Sequence, residues 1–229
     1  MRSFCLTIAA GLLILPAFLQ AGSREKATLS STQTISFDRD GVIQLEQSFG
    51  DVEIQGWDRP EVEITTIKST QKKYTEAERA EVEKDLDNIA ITAVKQGEDH
   101  LKITTEFPTH NVSKRPLRGK TNADLKYVIK APLQAKLVVH HDIGQVSVVN
   151  FTGNIEVTNN VGEIGVRLPD PGAYSVDAKS RVGDVSSEVG CSEGQNLTGQ
   201  QLRSDSGGVH PQLFLRVGVG NISIRKIRW

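Results

Sequence analysis

The sequence predicts an all-β fold, read as a β-solenoid with one inserted α-helix, with a β-sandwich as the alternative. Three observations carry this reading. Aliphatic and polar residues alternate with period two along most of the chain. A motif of the form apolar-Gly-polar-apolar-x-apolar recurs at near-regular spacing. Aromatic residues make up only 5% of the 229, so the core must be built from Val, Ile and Leu, which suit thin strand layers.

The first 21 residues read as a signal peptide. Arg2 opens it, Leu6 to Leu19 is its apolar run, and cleavage is expected near Ala21. The run is too short for an ordinary membrane span, so none is expected in the mature form. Residues 22–31 are small and polar and read as a flexible leader. The remaining residues, 32–229, read as one domain.

Period-two alternation begins near Thr32. Ile35 and Phe37, Val42, Ile43 and Leu45, Val52 and Ile54, and Val62 and Ile64 are punctuated by Asp40-Gly41, Gly50-Asp51 and the stretch from Gly56 to Pro60. These are strands separated by turns. A charge-rich stretch from Thr75 to about Asn88 lacks Gly and Pro, and Thr75 with Glu78 forms a capping-box pattern. It predicts a helix over about 75–88, able to shield exposed strand edges. Strands resume from Ile89 to Phe107. A basic, irregular stretch from Pro108 to Asn122 reads as a solvated loop.

The glycine motif then dominates. It stands at Ile143-Gly144-Gln145-Val146, Thr152-Gly153-Asn154-Ile155, Val161-Gly162-Glu163-Ile164, Val182-Gly183-Asp184-Val185 and Val219-Gly220-Asn221-Ile222, with an early copy at Phe49-Gly50-Asp51-Val52. Glycine takes φ > 0 at no steric cost, as a sharp corner requires. The polar residue after it can bond corner amides. The aliphatic pair that follows points to one face. Stacked copies would bury a continuous core, with Val146, Ile155 and Ile164 in one layer and Val148, Val157 and Val166 in another.

The run from Phe49 to Val62, the helix after it, the strand from Leu125 to Pro132, the Val-Gly-Asp/Glu-Val repeats and the closing Val219-Gly220-Asn221-Ile222-Ser223-Ile224 together resemble the bacterial putative adhesin domain of unknown function. That family is β-helical and related to adhesin head domains. The resemblance covers residues 33 to 228. It implies a β-solenoid at the cell envelope and implies no reaction. Gln145 departs from the acidic or Asn residue more usual after the glycine.

The chemistry available is limited. A formal net charge of −1 gives no electrostatic case for nucleic acid or an anionic membrane surface. Cys5 lies in the signal and Cys191 stands alone in the mature chain, which excludes an intrachain disulfide and a Cys-based zinc site. Phosphate loops and Gly-x-Ser-x-Gly elbows are missing from the sequence. His140-His141-Asp142 is the densest titratable cluster, but adjacent strand residues point to opposite faces, so one metal ion is not expected between the histidines. Asp51, Glu163 and Asp184 recur at corners and would form a carboxylate ladder if the corners align. Trp57 offers a ring for sugar stacking.

The expectation is therefore an exported module, periplasmic, at the cell surface or secreted, that binds, adheres or scaffolds and has no catalytic residues, cofactor or metal. Its partner would be a cell-envelope protein or glycan. Trp57, His140, His141, Asp51, Glu163 and Asp184 are the candidate contacts. The alternatives are a polysaccharide-acting β-helix enzyme and an envelope-stress regulatory partner.

Overall fold

The computed structural model describes residues 24–106, 123–188, 197–199, 201–204 and 210–228. The expected signal peptide (residues 1–21), the basic stretch 108–122, Cys191 and Trp229 lie outside them. In chain order the elements are β1 (Glu25–Ser36), β2 (Val42–Phe49), β3 (Asp51–Trp57), β4 (Glu61–Tyr74), α1 (Glu76–Asp87), β5 (Ala90–Gln96), β6 (His100–Glu106), β7 (Ala123–Pro132), β8 (Lys136–Ile143), β9 (Val146–Val149), β10 (Ile155–Val161), β11 (Ile164–Leu168), a 3-10 turn (Pro171–Ala173), β12 (Ser175–Val182), β13 (Val185–Ser187), β14 (Leu197–Gly199), β15 (Gln201–Ser204), β16 (Gln212–Val219) and β17 (Ile222–Lys226). Residues 25–31, read from sequence as leader, belong to β1.

The strands form two large mixed sheets. Sheet I runs β1-β4-β7-β3-β9-β11-β17-β13-β14, and sheet II runs β15-β12-β16-β10-β8-β2-β6-β5. This overturns the β-solenoid expectation; the β-sandwich alternative fits. A solenoid stacks its coils in chain order. Here β16 lies between β10 and β12, and β17 lies between β11 and β13. Antiparallel pairs also close the sheets: β1/β4, β4/β7 and β13/β14 in sheet I, and β5/β6 and β12/β15 in sheet II. The glycine motif records how the chain turns a corner. It does not record which strand comes to lie beside that corner.

The central strands are parallel. Five times the chain leaves sheet II at a glycine and enters sheet I: β2 to β3, β8 to β9, β10 to β11, β12 to β13 and β16 to β17. Gly50, Gly144, Gly162, Gly183 and Gly220 take φ between +112° and +141° at these corners. The parallel ladder continues through them, with Gly144 N donating to the Val161 carbonyl at 3.0 Å and Gly162 N to the Val219 carbonyl at 2.9 Å. Gly153 is different. It sits at the opposite end of the sandwich, beneath the carbonyls of Gln134 and Ala135, so the nine-residue spacing alternates ends and corners of one kind are two spacings apart. The expected layers change accordingly. Val146 and Ile164 do lie in register in sheet I, whereas Ile155 pairs with Leu137 and Leu213 in sheet II.

The inner faces meet in one apolar core. Val52, Val146, Ile164, Ile222 and Val185 form a buried row on sheet I, and Ile43, Leu137, Ile155, Leu213 and Val176 form one on sheet II. Truncating one such Ile or Leu to Ala typically costs ~2–5 kcal/mol. Tyr127 spans the layers: rooted in sheet I and fully buried, it brings its hydroxyl to 2.9 Å from Thr105 Oγ1 on sheet II. Tyr174 closes the other end, donating to the Phe151 carbonyl at 2.8 Å. Helix α1 packs on β4 and on the sheet I edge strand β1 through buried Leu86 and half-buried Val82. At its start the Glu78 carboxylate accepts from Thr75 N and Thr75 Oγ1, each at 2.9 Å.

Candidate functional site

Period-two alternation gives each sheet II strand an outward row, and register sets the rows side by side. Thr104, Glu46, His140 and Thr158 are cross-strand neighbours on β6, β2, β8 and β10. Ser48, Asp142 and Asn160 follow two residues later, at the corner. Together with inward-lying Gln47, Thr105 and His141 they line a cleft of about 390 Å³. The lining is hydroxyl, carboxylate, amide and imidazole, with no large apolar side chain.

Its charged groups are fixed. Lys102 hydrogen-bonds Glu46 at 2.9 Å and holds that carboxyl below the usual carboxylate range; Gln44 Nε2 donates to Glu46 at 2.9 Å. Asn160 donates to Asp142 Oδ1 at 2.7 Å. Glu46 is therefore an ionised acceptor near neutral pH, not a proton donor. On the floor, Thr105 Oγ1 donates to Gln47 Oε1 at 2.7 Å, and Gln47 Nε2 donates to the Phe49 carbonyl at 2.6 Å.

The two histidines part company, as adjacent strand residues do. His140 is exposed on the outer face, while His141 is only 2% exposed. Burial pushes the His141 imidazole below its ordinary value, opposed by the carbonyls of Gln47 and Gly50. His141 Nδ1 lies 3.3 Å from the Gln47 carbonyl. Its neighbours in register explain the position. Gln47, His141 and Asn159 form an inward row beneath the corners, and Ser180 takes the same place on β12. Asn159 Nδ2 donates to the Gly144 carbonyl and Ser180 Oγ to the Gly220 carbonyl, each at 2.8 Å. Asn159 and Ser180 thus tie their strands to the neighbouring corner, while Gln47 bonds the Phe49 carbonyl of its own strand. The sequence signal for them is parity: each falls on the inward beat of its strand, where an aliphatic residue would otherwise stand.

The expected carboxylate ladder does not form as such. The residues after the corner glycines lie in the order Asp51, Gln145, Glu163, Asn221, Asp184. Each acid is separated from the next by an amide, so like charges stand two strand spacings apart, roughly 9–10 Å. Gln145 N donates to Asp51 Oδ1 at 3.1 Å and Asp184 N to Asn221 Oδ1 at 2.9 Å. Gln145 thereby gains a physical role: it breaks the ladder. No cluster of three or more potential metal ligands occurs among the described residues.

Trp57 ends β3, away from the cleft. Its indole N–H donates to the Glu61 carbonyl at 2.9 Å, and its ring is engaged by Arg59 at 4.9 Å and Lys130 at 5.6 Å. The structure thus brings His140, His141 and Asp142 to the cleft and leaves Asp51, Trp57, Glu163 and Asp184 outside its lining. Glu46, Thr104, Thr158 and Asn160 were not singled out from sequence; each is one polar beat among many until register joins them.

No protein-family model and no curated protein matches this chain. Solved structures do. A "putative cell adhesion protein" from Clostridium sporogenes is 17% identical over 87% of this chain and 100% of its own, with a TM-score of 0.50. This chain shares that fold. A "putative adhesin" from Bacteroides fragilis is 7% identical over 87% of this chain and 97% of its own, with a TM-score of 0.30. No helix among the described residues is long and apolar enough to cross a membrane.

Proposed function

We propose that this chain is an exported cell-envelope module that binds a surface glycan or envelope protein through the outer face of sheet II, with no catalysis of its own. The cleft carries the reading: its hydrogen-bonding groups stand on regular strands and are held by neighbours before any ligand arrives. Pre-set polar groups lower the ordering cost of binding. They also leave Glu46 ionised and Asp142 engaged, which suits recognition of hydroxyl and amide groups better than proton transfer. The fold shared with a "putative cell adhesion protein" agrees with this role. Export rests on Arg2 and the apolar run from Leu6 to Leu19.

Two measurements test the proposal. Fractionation with N-terminal sequencing should find a chain cut near Ala21 outside the cytoplasm; an uncut cytoplasmic chain overturns the envelope role. Presented with a panel of envelope glycans and proteins, the exported protein should bind, and Glu46→Gln with Asp142→Asn should weaken that binding. Steady product release from uronate-containing glycans would point instead to an enzyme.

A further inference from the structure

Sheet I carries a cluster that the cleft on sheet II does not involve. Arg167 on β11 and Arg225 on β17 are direct cross-strand partners, both exposed on the outer face. Like charges placed opposite each other on neighbouring strands are destabilising. Among the described residues no ion pair engages either guanidinium. Lys226 and Arg228 join them around a cleft of about 430 Å³. Its one carboxylate, Glu188, is already committed, accepting from Lys226 N at 2.8 Å and lying 3.4 Å from Arg228 Nη2. Four cations therefore surround one acid on a chain whose formal net charge is −1.

We propose that this cleft binds a phosphoryl-class oxyanion. Arginine's planar fork matches phosphate geometry and binds it with paired hydrogen bonds. Two forks on adjacent strands, roughly 4.8 Å apart at the backbone, suit an anion with three outward oxygens. A carboxylate has only two and is satisfied by one fork. Approach is open on one side: the preceding outward row is Ser147, Gly165 and Ser223, so no long side chain covers the guanidiniums from that direction. A Cβ placed on Gly165 would meet nothing closer than Ser223 Oγ at 3.7 Å. A bound anion offsets the Arg167–Arg225 repulsion.

The same chemistry has two sources, a soluble phosphate ester or a phospholipid headgroup, and the experiment separates them. The exported protein is titrated with inorganic pyrophosphate by calorimetry at low salt, and separately sedimented with phosphatidylcholine vesicles with and without phosphatidic acid. Binding to pyrophosphate alone indicates a soluble source, and selective sedimentation with phosphatidic acid indicates a headgroup; either supports the site. Arg167→Gln with Arg225→Gln should weaken whichever binding is seen by at least about tenfold. Lys179→Gln with Arg181→Gln, which removes the same charge from exposed positions on β12, should change it less than about twofold. No binding in either arm overturns the proposal, as does an equal loss in the two double variants.

Discussion

Asn159 reaches from its own strand into the neighbouring corner and donates from Nδ2 to the Gly144 carbonyl at 2.8 Å. Asn159 is 1% exposed, so this bond satisfies a buried side-chain amide. Asn159→Ala should cost ~1–3 kcal/mol, read as a lower urea midpoint at constant slope. Asn159→Ser should recover part of the loss, because Ser180 makes the equivalent bond to Gly220. Equal stability of the alanine variant and the parent would remove the tie between corners.

The corners themselves should be intolerant of a side chain. Gly162 has φ +133°, and a Cβ there would collide with the Gly144 carbonyl. Gly162→Ala should lose at least ~1–3 kcal/mol from backbone strain alone. Gly165→Ala, three residues away, where a Cβ makes only an ordinary contact with Ser223 Oγ at 3.7 Å, should stay within about ±0.5 kcal/mol. Thermal unfolding of the pair checks the contrast; similar losses at both positions would refute it.

His141 should make stability fall in mild acid. Burial holds its folded-state value below that of the unfolded chain, so the unfolded state binds the proton first. Stability is then full above the unfolded value, about 6.5, and declines as pH drops below it. His141→Asn, which copies its register partner Asn159, should flatten that decline. Denaturation between about pH 7 and 5 tests this; an unchanged pH slope in the variant would assign the effect to other groups.

Alkali should act through the tyrosines. Burial raises Tyr127 and Tyr174 above the ordinary phenol range. The unfolded chain therefore releases these protons first, and stability should fall as pH rises past about 10. Tyr127→Phe leaves the Thr105 hydroxyl and Gln47 to each other; it should cost ~1 kcal/mol near neutral pH and reduce the alkaline loss. Phenolate absorbance against pH gives the readout, and ordinary titration of Tyr127 in the folded protein would contradict the burial argument.

The cleft shows how far a sequence can be read toward a site. His140-His141-Asp142 stands out because the three are adjacent in the chain. Glu46 and Thr158 are 94 and 18 residues from their shared register partner, His140, and nothing local links the three. The same limit explains the carboxylate ladder. Asp51, Glu163 and Asp184 share a motif, but only strand order shows Gln145 and Asn221 between them.

By itself the sequence determined that strands dominate, that one helix follows Thr75, that glycines turn the corners and that Val, Ile and Leu fill the interior. Those features rest on local chemistry: side-chain alternation, capping and the φ freedom of glycine. Tertiary structure alone decided which strand lies beside which, and so replaced a solenoid with two mixed sheets and set β16 and β17 between earlier strands. The reason is physical. A parallel ladder is held by backbone hydrogen bonds and by aliphatic side chains that are nearly interchangeable, so neighbouring strands carry little in their own residues to name their partners.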